Sequence, residues 1–317
     1  MAIFNGRRRG RSASRIAVAA IAAALVATTA GTASADPAPS GQGAADSARQ
    51  HVTPKAKDKG QQRSAPYASG FGATNESFDL MAVDGDGFLY NYPPNGTGGF
   101  GERWYNTHGW ESISEATQYD NNKDGRADGF YAKSLDGHLI YKNYVGGTRD
   151  LGAGWNTYNR VFTPGDLGGA PNDDLLARDK GGVLWLYTAK GDGSFTNPVK
   201  LGAGWGAMTK IAGRGDMNGD GKADIVAVDN SGTGWLYPGT GNWAAPFGNR
   251  VKLGAGWNTY NTLVGLGDLD NDGQADLVGR DASGGLWFYA GTGTTAGSPF
   301  KDRVKVGTGW NGMRLMF

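Results

Sequence analysis

Cysteine is absent from this sequence of 317 residues, and histidine occurs only three times. The chain therefore has no disulfide framework, no thiol nucleophile and no cysteine-ligated metal site. The three histidines, His51, His108 and His138, are scattered, and no motif of a serine hydrolase, a zinc protease or a phosphate-binding loop occurs. We therefore expect a protein without catalytic activity.

Long apolar runs are also missing. The apolar stretch at residues 16–27 is too short to span a bilayer. Five arginines and no acidic residue precede it, and Ala33-Ser34-Ala35 follows it as a small-x-small cleavage site. This pattern is typical of an export signal. We predict that residues 1–35 are a signal peptide and that the protein is secreted and extracellular.

Residues 36–70 contain only two large apolar side chains, Val52 and Tyr67. Such a segment cannot bury enough surface to offset its ordering entropy, so we predict a disordered linker. The remainder, 71–317, carries 21 basic and 27 acidic residues, a net charge of −6. This charge repels phosphates and argues against a nucleic-acid partner.

Repetition is the strongest feature that the sequence does contain. Gly-Trp recurs at 109–110, 154–155, 204–205, 256–257 and 309–310. An aspartate followed by a strand-like run recurs at Asp79, Asp128, Asp174, Asp224 and Asp276. Each Trp precedes the next such Asp by 18 or 19 residues, whereas the interval from Asp to Trp varies from 27 to 34. Five units of about 50 residues, rich in glycine and short strands, predict five propeller blades of about four strands each.

The two ends of the chain complement each other. Only seven residues follow Trp310, and an orphan stretch at 71–78 precedes the first unit. Together they complete one repeat, so we predict an all-β, five-bladed β-propeller over 71–317, closed by pairing of its N- and C-terminal strands. An open rod of five repeats is the alternative, but the sequence shows no polar capping repeats.

Three acidic loops lie at equivalent places in the fixed interval. Each has oxygen-bearing side chains at positions 1, 3, 5 and 9, with glycine at position 6, as in the first half of an EF-hand loop. We predict about three structural Ca²⁺ sites, with the residue at position 7 offering its backbone carbonyl. The predicted ligands are Asp120, Asn122, Asp124, Arg126, Asp128, Asp216, Asn218, Asp220, Lys222, Asp224, Asp268, Asp270, Asp272, Gln274 and Asp276. Side-chain turns without metal are the alternative.

Two units depart from this pattern, and we predict that neither binds calcium. The loop 166–174 lacks side-chain oxygens at positions 3 and 5, and the first unit has Phe71 where an aspartate is needed.

The acidic loop that leads into an apolar strand resembles the FG-GAP/VCBS-type repeat of integrin-α-like propellers. The five units and the repeated turn GAGWNTY are similar to tachylectin-like five-bladed lectin propellers. This resemblance implies structural calcium in the blade loops and ligand binding on the ring, often to sugars.

The repeated turns are the candidate ligand site. GAGWNTY occurs at 152–158 and 254–260, with close variants around Trp205 and Trp310. An aromatic face beside an amide suits a sugar, although these tryptophans could instead pack between blades. The candidate ligand residues are Trp155, Asn156, Tyr158, Trp205, Trp257, Asn258, Tyr260, Trp310 and Asn311.

Two functions fit this sequence. The first is a secreted lectin that binds cell-surface or cell-wall glycans multivalently. The second is a protein-docking or target-recognition subunit of a larger secreted, toxin-like assembly. The expected partners are thus glycans or a secreted protein.

Overall fold

The structure, a computed structural model, describes residues 76–317. The predicted signal peptide (1–35) and linker (36–70) lie outside the described residues. Over these described residues, twenty strands form five separate sheets of four antiparallel strands, which confirms the predicted all-β, five-bladed propeller. The same range also contains four 3₁₀-helices of three residues each.

The first blade has the spatial order β20-β1-β2-β3, and the second has β4-β5-β6-β7. The bounds in chain order are β1 Leu80–Asp84, β2 Leu89–Tyr92, β3 Trp104–Thr107, β4 Ile113–Tyr119, β5 Gly129–Ser134, β6 Leu139–Asn143 and β7 Gly147–Asp150. β20 spans Met313–Met316.

The third, fourth and fifth blades consist of β8 to β11, β12 to β15 and β16 to β19. Their strands are β8 Tyr158–Gly165, β9 Asp174–Asp179, β10 Leu184–Tyr187, β11 Val199–Gly202, β12 Met208–Ala212, β13 Ile225–Asp229, β14 Gly234–Tyr237, β15 Val251–Gly254, β16 Tyr260–Gly267, β17 Asp276–Asp281, β18 Leu286–Tyr289 and β19 Val304–Gly307. The 3₁₀-helices are η1 Trp155–Thr157, η2 Trp205–Ala207, η3 Trp257–Thr259 and η4 Trp310–Gly312.

The second strand of each blade reads as a continuous apolar run because neighbouring blades cover both of its faces. In β13, for example, Ile225, Val226, Ala227 and Val228 are all fully buried. The apolar core is divided into clusters that lie between successive blades, so no single blade has a core of its own.

The ring closes in the first blade, as predicted. β20 pairs antiparallel with β1, and Met81 and Phe317 exchange both backbone hydrogen bonds at 2.9 Å. The described end of the orphan stretch, residues 76–78, contacts β16 of the fifth blade instead of the C-terminal strand. Ser77 bridges to Gly267 of β16, and the Phe78 N–H donates to the Leu266 carbonyl at 2.9 Å. The N-terminal segment therefore also ties the first blade to the fifth.

Arg214 closes the centre of the ring. The five innermost strands all line the axial cavity, which has a volume of 30 Å³, room for a water molecule or two. The Arg214 guanidinium is 2% exposed, forms ion pairs with Glu76 (2.8 Å) and Asp173, and lies 3.7 Å from the centre of the Phe78 ring. It also donates to the Gln118 carbonyl at 3.3 Å. The Arg214 side chain thus joins the N-terminal segment, the second blade and the third blade to its own fourth blade.

The connections divide between the two faces of the ring. The acidic loops, between the first and second strands of a blade, share a face with the variable loops between the third and fourth strands. The Gly-Trp turns that lead to the next blade lie on the opposite face, here called the turn face, beside the turns between second and third strands. The predicted calcium and ligand sites therefore lie on opposite faces.

Candidate functional site

The last acidic loop brings three carboxylates together. Oxygens of Asp268, Asp270 and Asp276 all lie within 4.8 Å of one another. Burial, together with the neighbouring Asp270 and Asp268, raises the pKa of Asp276 to about 8. Three hard oxygen donors in a tight loop are a donor set that suits Ca²⁺. The residues therefore fit the predicted cation.

All three loops are closed by hydrogen bonds to their own backbone, and in the last one Asp268 accepts from the Gly273 N–H at 2.9 Å. Asp120 accepts from the N–H groups of Lys123 (2.7 Å) and Gly125 (2.8 Å). Asp216 accepts in the same way from Gly219 (2.7 Å) and Gly221 (2.6 Å). Within residues 76–317, only the last loop gathers three acidic groups so closely. The metal-free turn interpretation is therefore strongest for the first two loops.

Position 5 of each loop also turns toward the backbone of its own loop. The carboxylates of Asp124, Asp220 and Asp272 accept the N–H groups of the position-7 residues at 3.0 Å. Asp272 in addition forms an ion pair with Lys301 at 2.9 Å. The glycines at position 6 have positive φ angles, which a sharp turn requires. These glycines are Gly125 (81°), Gly221 (81°) and Gly273 (92°).

The divergent loop 166–174 uses its acidic residues for other contacts. Asp173 pairs with Arg214, while Asp174 accepts the N–H groups of Gly168 (2.7 Å) and Ala189 (3.1 Å). Asp276 accepts the N–H of Gly291 at the equivalent place. The ninth position therefore has a structural role in its blade whether or not a cation binds.

The tryptophans of the Gly-Trp turns pack between blades. Trp257 is 6% exposed and stacks on Tyr289, with ring centres 4.8 Å apart. Trp310 is 9% exposed and lies 4.6 Å from Tyr92. Trp155 and Trp205 are half-buried in the same type of contact. This placement favours the packing interpretation of the rings.

The polar groups of these turns fall into two sets: the tyrosine hydroxyls are bonded between blades, and the asparagine amides are exposed. The hydroxyls of Tyr158 and Tyr260 are hydrogen-bonded to Tyr187 (2.6 Å) and Tyr289 (2.7 Å). The asparagines, in contrast, are exposed on the turn face. They are Asn156, Asn258 and Asn311.

Each of these asparagines lies against a glycine of the preceding blade. A Cβ atom at Gly232 would lie 2.7 Å from the Asn258 side chain, and Cβ atoms at Gly137 and Gly284 would lie 2.9 and 3.0 Å from Asn156 and Asn311. Glycine at these places therefore leaves room for the asparagine side chains, and the Asn311 amide also donates to the Ala282 carbonyl at 3.2 Å. Asn156 also lines an open groove with Asp179 and Lys180.

A second set of aromatic groups lies on the third strands. The indole N–H groups of Trp185, Trp235 and Trp287 donate to turn aspartates at 2.7 to 2.9 Å. Arginines cover two of these rings, with Arg250 at 3.9 Å from Trp235 and Arg303 at 4.2 Å from Trp287. These contacts hold the half-buried rings rigidly in their blades.

Sequence reasoning missed an aromatic edge on the first blade. Phe88, Trp104 and Tyr105 are 37%, 49% and 39% exposed. The sequences of the outermost strands did indicate this edge. β3 has two aromatic residues in WYNT, whereas β11 and β15 have VKLG and β19 has VKVG.

Residues 216–279 match the family model of the FG-GAP-like repeat, which confirms the predicted resemblance there. This range contains two of the three acidic loops. No curated protein matches the sequence. Among residues 76–317, no helix has the length and apolarity that crossing a bilayer requires.

Several solved structures are similar at low identity. The lectin BP39L from Burkholderia pseudomallei is 13% identical, with 72% of this chain and 69% of that chain covered and a TM-score of 0.43. PorZ of the Porphyromonas gingivalis type-IX secretion system is 13% identical (68% and 27% covered, TM-score 0.35), and human WBSCR16 is 9% identical (66% and 62%, 0.34). This chain thus covers less than two thirds of the length of PorZ and of WBSCR16. At these values the similarities carry no argument about what this chain binds.

Fold and loops together define the class. The described chain is a five-bladed β-propeller with an FG-GAP-like repeat in its fourth and fifth blades.

Proposed function

We propose that this protein is a secreted, calcium-stabilised, lectin-like propeller that binds cell-surface or cell-wall glycans multivalently and catalyses no reaction. The observation that carries glycan binding is the presence of Asn156, Asn258 and Asn311 at equivalent places on the turn face. Each is exposed and lies beside a glycine of the preceding blade. An amide both donates to and accepts from hydroxyls.

Repetition explains why weak sites suffice. A shallow sugar site buries little area, so each turn alone binds weakly. Sites fixed on one rigid ring gain avidity of about 10²- to 10⁴-fold on a dense surface without any new contact. We expect tight binding to immobilised glycans and weak binding to the free sugars.

The experiment is a broad glycan array with the wild type and the triple variant Asn156→Ala, Asn258→Ala, Asn311→Ala. Loss of array binding at an unchanged melting temperature supports the proposal. Trp257→Ala is unsuitable here, because that ring is buried between blades. A folded wild type that binds no glycan, yet captures one secreted protein stoichiometrically, would establish the docking subunit instead.

Calcium is the second part of the proposal. When bound, the ion would neutralise the carboxylates of Asp268, Asp270 and Asp276 and stabilise the folded loop. Added Ca²⁺ should therefore raise the melting temperature, and chelator should lower it, by mass action on the folded state.

Asp276→Asn and Asp174→Asn form a matched pair for this test, because both carboxylates accept the same type of backbone hydrogen bond. We expect both variants to lose some stability, but only Asp276→Asn to reduce the calcium-induced increase. A melting temperature that responds to neither calcium nor chelator would contradict calcium binding.

A further inference from the structure

The outer edge of the first blade differs from the equivalent edges of three other blades. The outermost strands β11, β15 and β19 carry Lys200, Lys252 and Lys305, whereas β3 has Tyr105 at that place. Lysine on an edge strand prevents pairing with other chains. β3 has exposed aromatic rings instead, although it is an edge strand like the others.

One side of this edge is a rigid aromatic platform, formed by Phe88, Tyr90 and Tyr105. The Tyr105 ring lies 6.1 Å from Phe88 and 6.2 Å from Tyr90, and its hydroxyl is hydrogen-bonded to Nδ1 of His108 at 2.9 Å. Arg103 covers Tyr90 at 4.3 Å. The platform is thus held in place before any ligand arrives, which lowers the entropic cost of binding.

The other side presents an aromatic ring beside an amide. Trp104 lies directly opposite Asn91 in the β2–β3 pair, so both side chains are on the same face of the sheet. Asn106 donates to the Asn91 side chain at 2.9 Å, and Asn91 donates to Asp79 at 3.1 Å. Asn91 itself is 6% exposed and both of its polar groups are bonded, so the amide available beside the 49% exposed Trp104 ring is that of the half-buried Asn106.

We propose that this edge, the platform with Trp104, is a distinct binding site for a neutral oligosaccharide. The inference rests on the proposed glycan-binding function and adds to it a site and a ligand class. Sugar C–H groups pack on exposed aromatic faces, while the Tyr105 hydroxyl, His108 and the Asn106 amide bond to hydroxyls.

The size of the edge favours a sugar over a protein partner. The exposed parts of Phe88, Trp104 and Tyr105 amount to little more than one whole aromatic side chain, on the order of 250 Å². A stable protein interface requires about 800 Å² from each partner. A few sugar units cover the smaller area.

Charge favours a neutral sugar over an acidic one. Asp84, Asp86 and Glu102 lie in or beside the β1–β2–β3 segment that carries the rings, and the Arg103 guanidinium is already stacked on Tyr90. These carboxylates would repel a polyanion and accept hydrogen bonds from sugar hydroxyls.

The test converts β3 to the sequence of its sister strands with the double variant Trp104→Val, Tyr105→Lys. The fold tolerates Val and Lys at these places in β11, β15 and β19, so the variant should fold. The matched control is Val251→Ala, Lys252→Gln on β15. The probes are chitotetraose, cellotetraose and mannotetraose, with polygalacturonate as the anionic comparison.

We expect the wild type to bind at least one neutral probe more tightly than polygalacturonate. The β3 variant should bind that probe about tenfold more weakly, as expected for the loss of an aromatic contact, while the β15 control binds unchanged. Equal binding by the β3 variant and the wild type would overturn this site but leave glycan binding on the turn face intact. Failure of all neutral probes, or binding to a protein that the β3 variant loses, would also overturn it.

Discussion

At the scale of single residues, the three acidic loops and the divergent loop 166–174 all have a left-handed backbone at position 4, but with different residues. Glycine occupies this position in two loops, as Gly169 (φ 81°) and Gly219 (φ 84°). The other two loops place Lys123 (φ 61°) and Asn271 (φ 64°) there. Asparagine tolerates this conformation, but lysine gains nothing from it and is strained by about 1 kcal/mol.

Lys123→Gly should therefore stabilise the protein by up to about 0.5 kcal/mol, since the relief of about 1 kcal/mol of strain is partly offset by the chain-entropy cost of glycine, about 0.5–1 kcal/mol. The contact of Lys123 with Asp166 is 3.9 Å long and exposed, so its loss costs little. Urea denaturation measures the change. Lys123→Ala is the control, because it removes the charge and keeps the strain. An equal gain from alanine would assign the effect to charge.

At the scale of structural elements, the Gly-Trp turn is a wedge between blades. The sequence predicted the number of blades and strands from the spacing of this turn. It could not decide which way the tryptophan points, because a ring beside an amide suits both a sugar and a blade interface. In the structure the Trp257 ring contacts Tyr289 and Phe300, which are distant in the sequence, so it points into the interface between blades.

Trp257→Ala should cost about 3–5 kcal/mol, as expected for a large buried aromatic residue whose loss leaves a cavity. Asn258→Ala, one residue further on, should cost less than about 0.5 kcal/mol because its side chain is exposed. The two variants can be compared by chemical denaturation. Similar losses for both would mean that the turn is stabilised by its amide rather than by its ring.

Strand β20 closes the ring by pairing with β1, and its contribution to stability can be tested by deletion. Deletion of residues 311–317 removes its pairing with β1 and the bond from Arg314 to the Ile113 carbonyl (2.8 Å). We expect aggregation or a large loss of stability, because β1 becomes an open edge. Deletion of the predicted linker residues 36–66 is the control and should change the melting temperature little. A truncated chain that melts like the full protein would refute closure by β20.

At the scale of the whole molecule, the ring depends on a buried charge network that no repeat pattern could predict. The arginine at this position is not repeated in the other described blades. Its partners Glu76, Gln118 and Asp173 come from separate parts of the chain. Sequence reasoning finds what recurs, and this contact does not recur. The aromatic edge of the first blade was missed for the same reason.

This network makes stability depend on pH. Burial raises the pKa of Glu76 to about 7, although Arg214 lowers it. The folded state thus keeps this proton to a higher pH than the unfolded chain, so the group costs stability as the pH rises from about 4.3 to about 7. Glu76→Gln removes the titration. Its free energy of unfolding, relative to the wild type, should increase by on the order of 2 kcal/mol between pH 4.5 and 8. Parallel pH profiles of the two proteins would rule this out.

The closure of the ring by β20 also determines when the protein can finish folding. Among the strands of residues 76–317, β1 is synthesised first and its partner β20 last. At about 5–20 residues per second, the ribosome takes on the order of tens of seconds to supply β20 after β1. Until β20 emerges, β1 has an unprotected edge, so the nascent chain is open to mispairing and proteolysis over that whole interval.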